Sequence, residues 1–176
     1  MRRPTVVDSD VETATTWGDG CYEVDGRIDI EARLRIEPGT VVRFRENAGL
    51  NVRDSGMLVA DGSSDARITF TGTEANRGWW RSLAFAGSDR QNVLDHVTIE
   101  YAGRRHQGTR QRHGLEPAGL TVGQRGDVAE MSVTNSIFRN NDGWGVYVHQ
   151  DSSVNSDICS ANSFDSNTNH CKVKQD

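Results

Sequence analysis

Proline and helical periodicity are both in short supply in this chain, and each shortage narrows the fold. With 3 prolines, 7% aromatic residues and 18 glycines among 176 residues, its many corners must be built from Gly, Asn and Asp. No window carries the i, i+3, i+4, i+7 apolar spacing of an amphipathic helix, which argues against a βαβ fold or a leucine-rich horseshoe. No stretch approaches 18 consecutive apolar residues, so membrane insertion is not expected. The start, Met1 to Asp10, has basic residues but lacks the apolar run of a signal peptide. The expected location is therefore extracellular or cell-surface if the chain belongs to a longer precursor, and cytoplasmic otherwise.

Chemistry-bearing motifs are also missing. There is no GxGxxG opening a helix, no GxxxxGK[ST], no HExxH and no GxSxG, so no cofactor is expected. Cys21, Cys159 and Cys171 form no CxxC and lie near no spaced histidine pair, so no metal site is expected either. Cys159 and Cys171 fall within one predicted coil, leaving two alternatives: a bridge that locks the last turn, or reduced thiols. Of the 20 basic residues only Lys172 and Lys174 are lysine, and the net charge is -5. A surface acidic overall is a poor match for nucleic acid.

What the chain does have is a repeat. Asn135-Ser136-Ile137 recurs as Asn162-Ser163-Phe164, Asn140 as Asn167 and Val146 as Val173, a spacing of 27 residues. Apolar residues two apart mark short strands with one buried face, as at Leu34 and Ile36, Val42 and Phe44, Leu50 and Val52, Val97 and Ile99, and Leu120 and Val122. Turn residues such as Pro38-Gly39, Asp61-Gly62 and Asn141-Asp142-Gly143 separate them. Strands at this period describe a solenoid, in which each turn buries its apolar face only by stacking on neighbours. The expected fold is an all-β, right-handed parallel β-helix of about five to six coils over residues 21–176, about 25 Å long at about 4.8 Å per coil. Residues 1–20 would cap it or stay mobile. The expected stacking sets Ile137 beneath Phe164, Val42 beneath Ile68, Val146 beneath Val173, and Asn135 and Asn140 beneath Asn162 and Asn167. Ile137 would then be core.

The runs from Leu34 to Phe44, Gly56 to Gly62, Ile68 to Thr73 and Val97 to Gly103, with Gly78-Trp79-Trp80 between them, resemble the right-handed parallel β-helix repeats of bacterial and archaeal surface proteins with a pectin-lyase-like fold. The resemblance spans about residues 17 to 170. It implies a scaffold shared by lyases, glycosidases, adhesins and stalks. Lyases of this kind use an Arg or Lys base with carboxylates that gather Ca²⁺, whereas glycosidases use carboxylates on adjacent coils.

An insertion at about 104–117 interrupts the repeat. It brings Arg104, Arg105, His106, Arg110, Arg112 and His113 together in ten residues. With Tyr101 these are the candidate ligand-binding residues, because guanidinium groups pair with carboxylate in a two-pronged geometry. An acidic polysaccharide is the expected partner; a solvated loop is the plainer reading. Glu100, Arg104 and Arg105 are the weak catalytic candidates. Asp61, Asp65, Asp95, Asp142 and Asp165 are the other candidate acids, with turn roles favoured. Trp79, Trp80, Tyr101, Trp144 and Tyr147 would offer sugar-stacking rings if exposed. Three functions follow: a non-catalytic structural and polysaccharide-contacting module of a surface or secreted protein, a small polysaccharide lyase or glycoside hydrolase, or an end-to-end assembly module. Lys172 and Lys174, flanking Val173, would blunt the last edge.

Overall fold

The computed structural model describes residues 3–18, 20–53, 55–86, 91–104, 116–124 and 127–174. Nineteen short strands follow one another with no helix among these residues. The first coil contributes β1 (Thr5–Val7), a bridge at Val11 and β2 (Thr15–Trp17). The next two run β3 (Cys21–Val24), β4 (Arg27–Ile30), β5 (Arg33–Ile36), then β6 (Val41–Phe44), β7 (Gly49–Arg53), β8 (Met57–Asp61). Then come β9 (Ile68–Gly72), β10 (Leu83–Ala86), β11 (Gln91–Asp95), followed by β12 (Val97–Glu100), β13 (Ala118–Val122), β14 (Glu130–Thr134). The last are β15 (Ile137–Arg139), β16 (Trp144–Val148), β17 (Ser153–Val154), β18 (Ser163–Asp165) and β19 (Asn169–Val173).

Every third strand falls into the same sheet, and all strand pairs are parallel. The first sheet is β1-β3-β6-β9-β12-β15-β18, the second β4-β7-β10-β13-β16-β19 and the third β2-β5-β8-β11-β14-β17. The chain is thus a right-handed parallel β-helix of about six coils. Alternation along each strand explains the tube: one set of side chains points in and stacks on its equivalents above and below. In the second sheet Ile28, Leu50, Leu83, Leu120 and Val146 form one inward column. In the first sheet the column is Tyr22, Val42, Phe70, Ile99, Phe138 and Phe164.

These columns correct several expected pairs. Phe138, fully buried, lies beneath Phe164 with rings 5.4 Å apart, and Ile137 lies beneath Ser163 on the outer face, half-buried. Val42 pairs with Phe70 rather than Ile68, and Val146 with Cys171, leaving Val173 above Val148. The local repeat is therefore shorter than the Asn-Ser triplets suggest. Asparagine stacking shifts with it. Asn141, not Asn140, donates through Nδ2 to Asn167 Oδ1 at 2.9 Å, while Asn162 Oδ1 accepts from the Ser136 backbone N–H at 2.9 Å. Asn135 and Asn140 serve instead as left-handed corner residues, with φ of 51° and 55°, a conformation asparagine tolerates. The buried amides satisfy backbone groups that a bare corner would leave unpaired.

At the N-terminal end, Trp17 is 4% exposed and lies flat on Tyr22, ring centroids 5.0 Å apart. At the other end the third sheet dwindles to the two-residue β17, and Ile158 from the following turn fills the core. Cys159, next to it, is disulfide-bonded to Cys171 of β19, and Cys21 is a free, half-buried thiol. Lys172 and Lys174 do lie on the outermost strand of the second sheet and just past it, set over the rings of Trp144 and Tyr147 at 5.4 and 5.8 Å.

Candidate functional site

Chain length between the first and second sheets sets where a site can form. Most of these corners need two to four residues, but residues 73–82 and 101–117 are long, on adjacent coils. The two segments are laced together by backbone hydrogen bonds. Trp79 N donates to Tyr101 O at 3.0 Å, Gly103 N to Arg81 O at 2.7 Å and Arg104 N to Trp80 O at 3.0 Å. Gly103, with φ of +92°, abuts Asp142, whose carbonyl oxygen would lie 1.8 Å from any Cβ placed there. Only glycine lets these rungs approach so closely.

Glu100, at the end of β12, is 8% exposed. One carboxylate oxygen accepts from Thr71 Oγ1 at 2.9 Å, and the other meets Arg139 Nε at 2.6 Å. All three side chains lie in one outward column of the first sheet, because Glu100 is in register with Arg139 and Thr71 lies one residue beyond the Phe70–Ile99 pair. Glu100 therefore pairs with Arg139 of the next coil and not with Arg104, four residues on in the chain. Arg104 sits beyond the corner and pairs with Glu46, Nη1 to Oε1 at 2.9 Å. Tyr101 takes the positive-φ corner (63°) and packs half-buried against the core. Arg105, His106, Arg110, Arg112 and His113 lie outside the described residues.

The aromatic rings are mostly not a sugar platform. Trp80 is fully buried, stacked on Phe44 at 4.0 Å, and donates its indole N–H to Glu100 O at 2.9 Å. Tyr147 is 1% exposed. Trp79 is half-buried and donates to Thr73 Oγ1 at 2.9 Å. Trp144, also half-buried, carries Lys172 over its ring. Burying so large a ring as Trp80 is what holds the long 73–82 segment onto the tube.

Two groupings escape a reading of the sequence. The first is Asp95 and His96, at the corner after β11. Asp95 Oδ1 accepts from Thr134 Oγ1 at 2.6 Å and Asn135 Nδ2 at 2.8 Å, while Oδ2 lies 2.7 Å from His96 Nδ1. Burial pushes the Asp95 carboxyl up, but these hydrogen bonds outweigh it and hold it below the usual carboxylate range. The two residues are neighbours in the chain, yet only folding brings Thr134 and Asn135 over them. A group whose folded pKa is lowered stabilises the native state above its unfolded value of about 3.9, and that contribution is lost as pH falls through the folded value. The stability difference between wild type and Asp95→Asn is therefore expected to be full at neutral pH and to shrink progressively below about pH 4. Denaturant melts of both proteins across the acid range check this, and a constant difference would contradict it.

The second grouping is basic. Arg27, Arg81 and Arg104 come together where the two long segments leave the tube. Burial, then repulsion from Arg27 and from Arg104, lowers the pKa of Arg81. Arg45, on the neighbouring corner, is in the opposite setting: it lies between Glu23, Nε to Oε1 at 2.7 Å, and Asp25, and its pKa is raised, chiefly by the Glu23 hydrogen bond. Nothing in the sequence distance from Arg27 to Arg81 hints at the meeting; the coil period does, once the register is known. No family model, curated protein or solved structure matches this chain, and its functional reading rests on its own residues.

Proposed function

We propose that this chain is a non-catalytic β-helix module, of the pectin-lyase-like kind, from a surface or secreted protein, which serves as a structural piece and contacts acidic polysaccharide. The observation that carries the reading is the state of Glu100. Glu100, the carboxylate that directly precedes the arginine-rich insertion, is held between Thr71 and Arg139 at 8% exposure, so it joins rungs rather than facing a substrate. A general acid needs to reach the bond it protonates. The Cys159–Cys171 bridge supports an oxidising compartment. The reading sets the glycan contact at the corner of Tyr101 and Arg104, where the arginine-rich insertion of an acidic protein begins.

Affinity electrophoresis in gels containing polygalacturonate or alginate, run beside a reducing-end assay on the same polymers, tests both halves. The expected result is retardation without cleavage. New reducing ends that disappear in Glu100→Gln would overturn the non-catalytic half, and unchanged mobility in both gels would overturn the glycan half.

A further inference from the structure

The two ends of the tube carry opposite charges on the same columns of side chains. One inward column of the second sheet opens with Val11 on the first coil, passes through Ile30, Val52 and Val148, and ends with Val173 on β19. Asp10 and Glu12 flank Val11, and Lys172 and Lys174 flank Val173. The outward column one residue earlier accordingly starts at Asp10, whose Oδ1 accepts from Asp29 N at 2.8 Å, and runs through Asp29, Asn51 and Tyr147 to Lys172. An Asp-Val-Glu rim at one end thus answers a Lys-Val-Lys rim at the other. Both rims are open edges: β1 and β18 are the outermost strands of the first sheet, and β19 is outermost in the second. Three large apolar side chains are exposed among the described residues, and two of them stand at these rims, Val6 at 49% on β1 and Val173 at 38% on β19. Val173 faces inward, and it is exposed because no rung of the described residues covers it.

We infer that this chain associates head to tail with further copies of itself, the Lys172-Val173-Lys174 rim of one copy seated on the Asp10-Val11-Glu12 rim of the next. The open edges supply the main-chain hydrogen bonds, β18 adding to β1 and β19 to the segment around Val11, parallel like every pair within the chain. Val173 is then covered by Val11 of the next copy, as Val148 is covered by Val173 within one copy. The flanking charges give the contact its direction. Head on tail sets carboxylates against ammonium groups, whereas head on head or tail on tail sets like charges opposite each other. Lysines that blunt an edge against most strands therefore admit one whose rim is acidic. Lys172 and Lys174 lie over the rings of Trp144 and Tyr147 and keep ammonium donors for a carboxylate, while Asp10 spends one of its two oxygens on Asp29 N. A contact between two different surfaces does not close on itself, so the product is an open-ended rod. This inference is independent of the glycan reading.

Sedimentation equilibrium of the full chain over a range of concentrations, at low and at elevated salt, tests the assembly. The expected result is an average mass that rises with concentration beyond that of a dimer and falls as salt is added. Glu12→Lys and Lys174→Glu, one at each rim, should each weaken association about tenfold or more by setting like charges opposite each other. Glu12 is exposed on the first coil, so its variant reads the contact should Lys174→Glu loosen the last strand. An equimolar mixture of the two variants should recover the association, because the altered head of one faces the altered tail of the other and their unaltered rims still match. Four outcomes would each overturn the inference: a monomer at every concentration in low salt, a mass that levels off at two chains, variants that associate as tightly as wild type, or a mixture as dissociated as its components.

Discussion

Replacing Phe138 by alanine is expected to cost about 3–5 kcal/mol of unfolding free energy, whereas Ile137→Ala costs about 1 kcal/mol. Phe138 is fully buried and its ring faces Phe164 at 5.4 Å. Removing it leaves a cavity inside a tube whose backbone is pinned above and below by parallel ladders, so the walls collapse poorly. Ile137 points out of the same strand and is only half-buried. The pair of variants reads the register directly. A slip by one residue exchanges the faces of a strand, so the stacking of Ile137 beneath Phe164 would invert the order of the two effects. Urea melts of the two single variants are sufficient, and a larger loss for Ile137→Ala would refute the alignment of Phe138 beneath Phe164.

The second large effect lies at the C-terminal end. Cys159→Ser with Cys171→Ser, or reduction of the wild type, is expected to remove about 3 kcal/mol, the value for a bridge closing a short loop. At about 2–4 °C per kcal/mol for a protein of this size, the melting temperature drops by roughly 6–12 °C. The bridge has more than chain entropy to protect. It spans 12 residues and joins the turn that carries Ile158 to the last strand of the second sheet. Cys21→Ser, changing a free thiol at the opposite end, should leave the melt unchanged. Identical melting of reduced and oxidised protein would show that Ile158 and the strand ladders hold this end unaided.

Both predictions touch what can and cannot be read from the amino-acid order. Period-two alternation marks nearly every inward position, and residues so marked do stack, among them Leu34 beneath Leu58, Phe70 beneath Ile99, Leu83 beneath Leu120 and Leu120 beneath Val146. Apolar burial is local information, because a strand facing the core declares itself wherever it sits. The register is harder. Two Asn-Ser pairs, at 135 and 162, look like the repeat mark, but their amides do different work: Asn135 turns the corner and Asn162 reaches inward to Ser136. Aromatic stacking of Phe138 on Phe164 and the Asn141–Asn167 contact fix the alignment instead. Ionic partners are the least legible. Chain order sets Glu100 beside the arginines that follow it, yet its partner Arg139 comes from the next coil, which sequence adjacency cannot reveal. The same holds for Arg27, Arg81 and Arg104, which share a corner only because of the coil period.

The tie between Cys159 and Cys171 has a mechanical corollary. If the tube is pulled apart from its C-terminal tail, β19 peels from β16 until the load arrives at Cys171. The sulfur–sulfur bond then passes the tension straight to Cys159. Strand β18 and the amides of Asn162 and Asn167 lie inside the covalent ring and bear none of it. Under force, the final rung would stay wound until its neighbour gives way.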